Sequence, residues 1–183
     1  MYCILKLLDN TFIGTLLAGS ILAWFGFYLY RKQKEVDIEY EELRKIRELA
    51  SSLFANIEMT SGKYRGQLNV RDGKNSILER VFNLMNKKFD NHFSEVAAKE
   101  FNDLSIIITK ATDNLIAQLK ISSGYDKEIG FLTEKIPSLN MCFLGISALH
   151  LYSPKDINDL RAFFEELQKP IQDMLQDIIK GKK

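Results

Sequence analysis

The stretch from Thr11 to Tyr30 contains no charged residue, and it constrains the fold more than any other feature of the sequence. Its 20 residues span about 30 Å as an α-helix, since each residue adds about 1.5 Å. That length matches the hydrocarbon core of a lipid bilayer, which is about 30 Å thick. The stretch therefore predicts one transmembrane helix near the N-terminus.

The charges on either side of this stretch predict its orientation. Lys6 and Asp9 precede it, and Arg31-Lys32-Gln33-Lys34 follows it. Because Lys and Arg accumulate on the cytoplasmic side of membrane helices, we expect residues 35 onward inside the cell and the first ten outside. The expected localisation is the inner (cytoplasmic) membrane, in a single pass. The side chains expected at the inner membrane interface are Trp24, Tyr28, Tyr30, Arg31, Lys32 and Lys34.

Two other interpretations of the uncharged stretch fit less well. A cleaved signal peptide carries its basic residues before the apolar run, whereas here they follow it, and no small-x-small cleavage site comes after the run. A buried helix of a soluble domain seldom has 20 uncharged residues in succession. The transmembrane interpretation is therefore favoured over both.

Small residues gather on one side of the predicted transmembrane helix. At about 100° per residue they share one half of the helix circumference with Leu22 and Leu29, and the bulky side chains occupy the other half. Small faces let membrane helices approach closely, although glycine is also frequent in membrane helices in general. We favour self-association. The residues predicted to line a pore or to pack between helices are Thr11, Gly14, Thr15, Ala18, Gly19, Leu22, Ala23 and Gly26.

Composition excludes several classes of protein. The chain has 183 residues, of which 46% are hydrophobic and 27% charged, with a formal net charge of +1. These values exclude a disordered tail, a collagen-like chain and a polytopic membrane protein. Two cysteines, Cys3 and Cys142, exclude a disulfide framework and a cysteine-based zinc site. We expect no cofactor and no metal.

The charge divides unevenly along the chain. Residues 1–34 hold four of the 25 Lys and Arg and one of the 24 Asp and Glu, a net charge of +3. The remaining residues hold 21 basic and 23 acidic side chains, a net charge of −2. Proteins dedicated to nucleic acids derive much of their affinity from phosphate contacts by basic residues. We therefore expect direct RNA binding to be weak or absent.

Apolar residues after the basic flank recur at helical spacing. Val36, Leu43, Ala50 and Ile57 follow one another every seven residues, with Ile46 and Leu53 between them. This heptad-like row predicts a helix from Arg31 to about Met59 that continues the transmembrane helix. Its spacing serves packing between chains and packing within one chain equally well. Three glycines then predict a loop over Thr60–Asn75, whose excess of basic residues is either solvated or a contact for RNA, lipid head groups or an acidic partner.

Further helices follow in the rest of the sequence. Ser76 begins one, which Phe89–Phe93 is predicted to interrupt, and Ser94 begins a long helix that Ser122-Ser123-Gly124 ends. A connector with short helical potential is expected over residues 125–136, then a buried central helix over Leu139–Tyr152, and a last amphipathic helix begins at Pro154. The predicted fold class is all-α, with a single N-terminal transmembrane helix continuing into a cytoplasmic bundle of four to five helices. The predicted domains are an anchor with its basic flank, residues 1–34, and the bundle, residues 35–183.

Catalytic motifs are scarce. The sequence has no Gly-rich phosphate loop, no HExxH, no CxxC and no G-x-S-x-G. Helical RNases of the HEPN type use an Arg-x4-6-His signature, in which histidine exchanges a proton and arginine stabilises phosphate charge. No arginine has that spacing from His92 or His150, and the nearest form is Asn86-x5-His92. Asn86 and His92 are therefore only degenerate HEPN-like candidates, and the incomplete signature favours a function without catalysis while leaving RNase activity open.

One transmembrane helix with a basic flank, followed by a helical bundle with this degenerate signature, resembles the membrane-bound accessory protein of type VI-B CRISPR loci. The resemblance covers the whole chain as an architecture, and Thr11–Lys34 and Asn86–His92 carry it. It implies a ring-shaped homo-oligomeric pore that dissipates membrane potential and enhances the antiviral action of an RNA-guided RNase. The implied partners are further copies of the chain, membrane lipids and that RNase. Two alternatives stay open, a non-conducting scaffold with one membrane span and a membrane-tethered HEPN-type endoribonuclease.

Overall fold

The structure is a computed structural model that describes residues 2–73, 87–146 and 154–181. Regular structure in these ranges consists of four α-helices and a short 3-10 turn after the third. The helices are α1 (Tyr2–Gly73), α2 (Lys87–Ile121), α3 (Asp126–Leu144) and α4 (Pro154–Lys180). The predicted all-α class is thus confirmed for the described ranges.

The chain divides into two compact units, residues 1–43 and residues 44–183. The second unit is a helical bundle, as predicted, and it contains the hydrophobic core. The domain boundary predicted at residue 34 stays a prediction. Within the part of the chain that the structure describes, no helix offers a segment long and apolar enough to cross a membrane.

Four aromatic side chains lie at the centre of the bundle, one from each helix. The ring of Tyr64 lies 4.7 Å from that of Phe164, 5.6 Å from that of Phe143 and 6.1 Å from that of Phe101, measured between centroids. All four residues are buried. Aromatic pairs in edge and tilted geometries add to the free energy of burial, so this cluster helps to join the four helices.

The heptad-like row of α1 is divided between two environments. Ile46, Ala50, Leu53 and Ile57 are buried in the bundle of their own chain. Val36 and Leu43, which belong to the same row, are 58% and 40% exposed. The row therefore serves packing within the chain from Ile46 onward and has no such role before it.

The predicted loop over Thr60–Asn75 is wrong as far as Gly73, because α1 continues to that residue. Tyr64 and Leu68 extend the buried face of the helix at helical spacing and are 1% and 0% exposed. A glycine inside a helix costs about 1 kcal/mol relative to alanine, whereas burial of one large apolar side chain contributes about 1.5–3 kcal/mol. Tertiary packing therefore outweighs the glycine signal. Asn75 and the helix start predicted at Ser76 lie outside the described residues.

Two boundaries predicted later in the chain also differ from the structure. α2 runs without a break through Phe89–Phe93, where an interruption was expected. The predicted connector at 125–136 forms the first part of α3, where Leu132 and Ile136 pack into the core. Apolar contacts with the other helices explain why a segment of weak helical signal folds as helix.

Other predictions for the bundle are confirmed. α2 ends at Ile121, and Gly124 has a φ of +92°, which favours glycine because it has no Cβ. The predicted inward faces of α2 and α4 are buried or partly buried. Cys142 is buried inside α3. The central helix predicted over Leu139–Tyr152, by contrast, is wrong in its extent, because the α-helix ends at Leu144 and a 3-10 turn follows, and the residues from position 147 lie outside those described.

Candidate functional site

The surface of α1 before the bundle is the most unusual feature of the chain. Every residue from Ala18 to Glu41 is exposed, and the part up to Tyr30 includes eight large apolar or aromatic side chains that are between 49% and 73% exposed. Soluble proteins rarely expose contiguous apolar patches of this kind, and such patches mark contacts with membranes or other proteins. These eight residues are Ile21, Leu22, Trp24, Phe25, Phe27, Tyr28, Leu29 and Tyr30.

Aromatic and basic side chains lie next to each other at the C-terminal end of this surface. The rings of Trp24 and Tyr28 stack one helical turn apart, with centroids 6.0 Å from each other and an interplanar angle of 17°. Arg31 Nε lies 3.4 Å from Glu35 Oε1, and both side chains are exposed. Exposed pairs four residues apart contribute only about 0.3–0.5 kcal/mol, so Arg31 stays available for other contacts. Membrane helices often carry aromatic side chains followed by basic ones at the end where they leave the lipid, and α1 has the same order here.

Gly19 and Gly26, two of the residues predicted to pack between helices, have open space beside their backbone within the chain. A Cβ added at Gly19 or Gly26 would meet nothing within 4 Å. Thr15, Ala18, Leu22 and Ala23 are exposed as well. The described packing of the chain therefore does not require glycine at positions 19 and 26. The side chains predicted for the same face at Thr11 and Gly14 lie outside those described.

The catalytic candidates cannot be assembled from the described residues. Asn86 lies outside them, and His92 belongs to α2 without a described side chain. Their predicted pairing stays a prediction. No group of three His, Cys, Asp or Glu side chains suited to a metal ion occurs among the residues described.

Sequence reasoning missed the polar contacts inside the bundle. Arg65 Nη2 donates a hydrogen bond to Gln168 Oε1 at 2.6 Å, and the Arg65 guanidinium lies 6.0 Å from the centroid of the Phe164 ring. Lys63 forms an ion pair with Glu100. These two cations, expected in a loop, therefore make contacts within the bundle. Only a correct helix assignment for residues 60–73 would have revealed this, because it places Lys63 and Arg65 on the two flanks of the buried Tyr64.

A shallow apolar pocket of about 300 Å³ opens between α3 and α4. It has no Asp, Glu, Lys, Arg or His among its lining residues. Burial raises the pKa of the Cys142 thiol, which keeps it protonated and a poor nucleophile. The lining residues are Tyr64, Ser138, Met141, Cys142, Gly145, Leu160 and Phe163.

The state of this thiol gives a testable prediction. In a Cys3→Ser variant at pH 8, we expect Cys142 to react with iodoacetamide several times more slowly in the native protein than in urea, because burial raises its pKa and limits access. The rate is measured by mass spectrometry of quenched samples. Equal rates in the two conditions would show that the thiol is exposed in the native protein.

Comparisons with known proteins identify no relative of this chain. No protein-family model, no curated protein and no solved structure matches it. The functional argument therefore rests on the residues of this chain and on the surface that they form.

Proposed function

We propose that the chain is a membrane protein with a single span, anchored by Thr11–Tyr30. The observation that supports this most strongly is the exposed apolar and aromatic surface of α1 directly before Arg31-Lys32-Gln33-Lys34. Transfer of that surface out of water is favourable by about 25 cal/mol for each Å² of apolar area. Six residues of the span have side chains outside those described, and the proposal takes them from the sequence: Thr11, Phe12, Ile13, Gly14, Leu16 and Leu17.

The same residues support one orientation in the inner membrane. Three basic side chains, Arg31, Lys32 and Lys34, follow the span, whereas Lys6 is the one basic side chain before it. The excess of cations after the span favours a cytoplasmic bundle and an N-terminus outside. Trp24, Tyr28 and Tyr30 would lie at the inner lipid head groups.

The anchors of several copies assemble into a pore in this proposal. Gly19, Ala23 and Gly26 lie on one exposed face of α1 and leave room for a neighbouring helix. The span holds no charge, so the lumen would discriminate weakly among ions, and Leu22 or Leu29 would form an apolar constriction that gates by dewetting. HEPN-like bundles on the cytoplasmic side would surround the entrance.

The physiological role that we propose is antiviral. The architecture resembles the accessory proteins of type VI-B CRISPR loci, and by that resemblance the pore would depolarise the membrane and enhance the action of an RNA-guided RNase. An adjacent CRISPR array with an RNA-guided RNase in the genome would support this role. A genomic neighbourhood without them would argue against it.

Two measurements on the full chain test the assembly and its conductance. The protein is purified in detergent and examined by native mass spectrometry, then reconstituted into liposomes that hold a valinomycin-induced potassium potential. We expect a discrete homo-oligomer larger than a dimer and loss of the potential, reported by a voltage-sensitive dye. A monomer or a dimer would contradict the pore.

A second candidate function is a scaffold that conducts nothing. The exposed Val36 and Leu43 favour it, because they offer a helix surface for assembly outside the lipid. Under this alternative the same oligomer forms and the liposome potential is retained. The dye signal therefore separates the two functions.

A further inference from the structure

Nine positions of α1 form a continuous exposed face, which we call the α1 seam. They recur at alternating intervals of four and three residues, the spacing of positions a and d in a heptad repeat. All nine are exposed, and α1 is an unbroken helix across them. Thr15, Gly19, Leu22, Gly26 and Leu29 belong to the uncharged stretch, and Gln33, Val36, Tyr40 and Leu43 lie beyond it.

The charged segment that follows the uncharged stretch keeps this face free of charge. Nine of the 14 residues from Arg31 to Arg44 are charged. Of the five uncharged residues, only Ile38 lies away from the α1 seam. Val36 and Tyr40 are 58% and 67% exposed, although acidic residues lie on both sides of each in sequence. An uncharged stripe within so charged a segment indicates a surface that another helix covers.

The α1 seam ends where packing inside the chain begins. Leu43 is its last position, and Ile46, Ala50 and Leu53 are buried in the chain's own bundle. Before Leu43 the described side chains of α1 have no comparable burial. The described residues of the chain leave the α1 seam exposed, which favours a cover from another chain.

We propose that a second copy of the chain, together with the further copies of the proposed oligomer, packs along the α1 seam, parallel and in register, as one coiled coil that begins in the membrane span and continues to Leu43. The part of this coiled coil that lies within the membrane rests on the proposed function, because spans that are inserted in one orientation are parallel to each other. Gln33, the polar residue at an a position, fixes the register, because a register shift would place its amide against an apolar side chain.

The residues that flank the α1 seam are complementary in charge. Lys32 and Glu39 directly precede a positions of the α1 seam and are therefore g positions, whereas Asp37 and Arg44 directly follow d positions and are e positions. In a parallel coiled coil, each g position faces the e position five residues later in the other helix. Lys32 then faces Asp37 of the second copy, and Glu39 faces Arg44 of the second copy. Both pairs join opposite charges. In the single chain Arg44 makes an exposed ion pair with Glu48 at 3.8 Å, which is loose enough to rearrange.

Disulfide crosslinking between copies tests the pairing in native membranes. Single cysteines are placed in a Cys3→Ser background, where the remaining Cys142 is buried, and the membranes are oxidised with copper phenanthroline. We expect dimer-sized crosslinks at the seam positions 33, 36, 40 and 43 and few at positions 34, 35, 38 and 41. Crosslinking between identical positions at both 33 and 43 requires the two helices to be parallel. Crosslinks that are as frequent at positions 34, 35, 38 and 41 as at the seam positions would overturn the proposal.

A charge exchange tests the flanking pairs. Glu39→Arg and Arg44→Glu each place like charges opposite one another, and we expect each to lower the crosslinking of Val36→Cys about fivefold, the size of effect expected from one or two exposed pairs. The double variant restores opposite charges and should restore crosslinking. Lys45→Glu makes the same charge change as Arg44→Glu at the position next to it, away from the α1 seam, and should leave crosslinking unchanged. A double variant as weak as the single ones would overturn the pairing.

Carbonate extraction of the same membranes distinguishes this inference from the proposed function. A chain that carbonate releases has no membrane span, and the crosslinks at 33–43 still report on the α1 seam in that case. A chain that resists carbonate but gives no periodic crosslinks is anchored and lacks the coiled coil. Each result therefore decides one of the two proposals.

Discussion

Replacing Phe164 by alanine is expected to lower the free energy of unfolding of the bundle by about 3–5 kcal/mol, the usual range for a buried phenylalanine. The Phe164 side chain is fully buried, and its ring contacts those of Tyr64 and Phe143 at centroid distances of 4.7 and 5.8 Å. The substitution removes both contacts and leaves a cavity where the four helices meet. Urea denaturation of the full chain in detergent, followed by circular dichroism, measures the change.

The neighbouring residue Phe163 provides a matched control. It is the same type of side chain on the same helix, but it is 50% exposed. Phe163→Ala should therefore cost about 1 kcal/mol or less, since little apolar area leaves the core. Equal losses for the two variants would mean that the aromatic cluster does not hold the bundle together.

Placing an arginine in the middle of the proposed span is expected to have the largest effect on localisation. Ile21 lies near the centre of Thr11–Tyr30, where insertion of arginine costs about 2.5–3.5 kcal/mol. For Ile21→Arg we expect the ratio of carbonate-resistant to carbonate-soluble protein to fall on the order of 100-fold, since each 1.4 kcal/mol changes an equilibrium tenfold. Immunoblotting of the two fractions measures the ratio.

Ile38→Arg is the matched control for this prediction. Ile38 lies on the same helix and is exposed to a similar degree, 51% against 64% for Ile21, but it follows the basic flank and lies off the α1 seam. The same substitution there should leave the membrane fraction unchanged. Loss of membrane attachment in both variants would point to a general effect of arginine on the helix and against a span at Thr11–Tyr30.

Much of the helical architecture could be predicted from the periodicity of apolar residues. The row predicted for α4 is correct: Ile157, Phe164, Ile171 and Ile178 are buried, and Leu160, Leu167 and Met174 are packed against the core. The long helix that ends before Gly124 was predicted as well. In both cases the local helical preference and the buried face agree, so the sequence signal is unambiguous.

Predictions based on glycine and on weak local signals were wrong where tertiary packing opposes them. Gly62 and Gly66 indicated a loop, yet both lie on exposed parts of α1 while Tyr64 and Leu68 enter the core. Intrinsic preference differs by only about 1 kcal/mol for each residue, so one buried aromatic side chain reverses it. The four-ring cluster could not be predicted, because its members come from four helices and share no local pattern.

The sequence by itself determined that the chain is helical, that Thr11–Tyr30 is uncharged and that apolar residues of α1 repeat every three or four positions. It did not determine what those repeating residues contact, because the same spacing suits a partner helix in the same chain and in another. The tertiary structure decided this. The helices α2, α3 and α4 cover α1 from Ile46 to Leu68, and they leave Val36, Tyr40 and Leu43 exposed. The physical reason is that burial depends on which surfaces meet, and a helical repeat specifies only that one side of a helix is apolar.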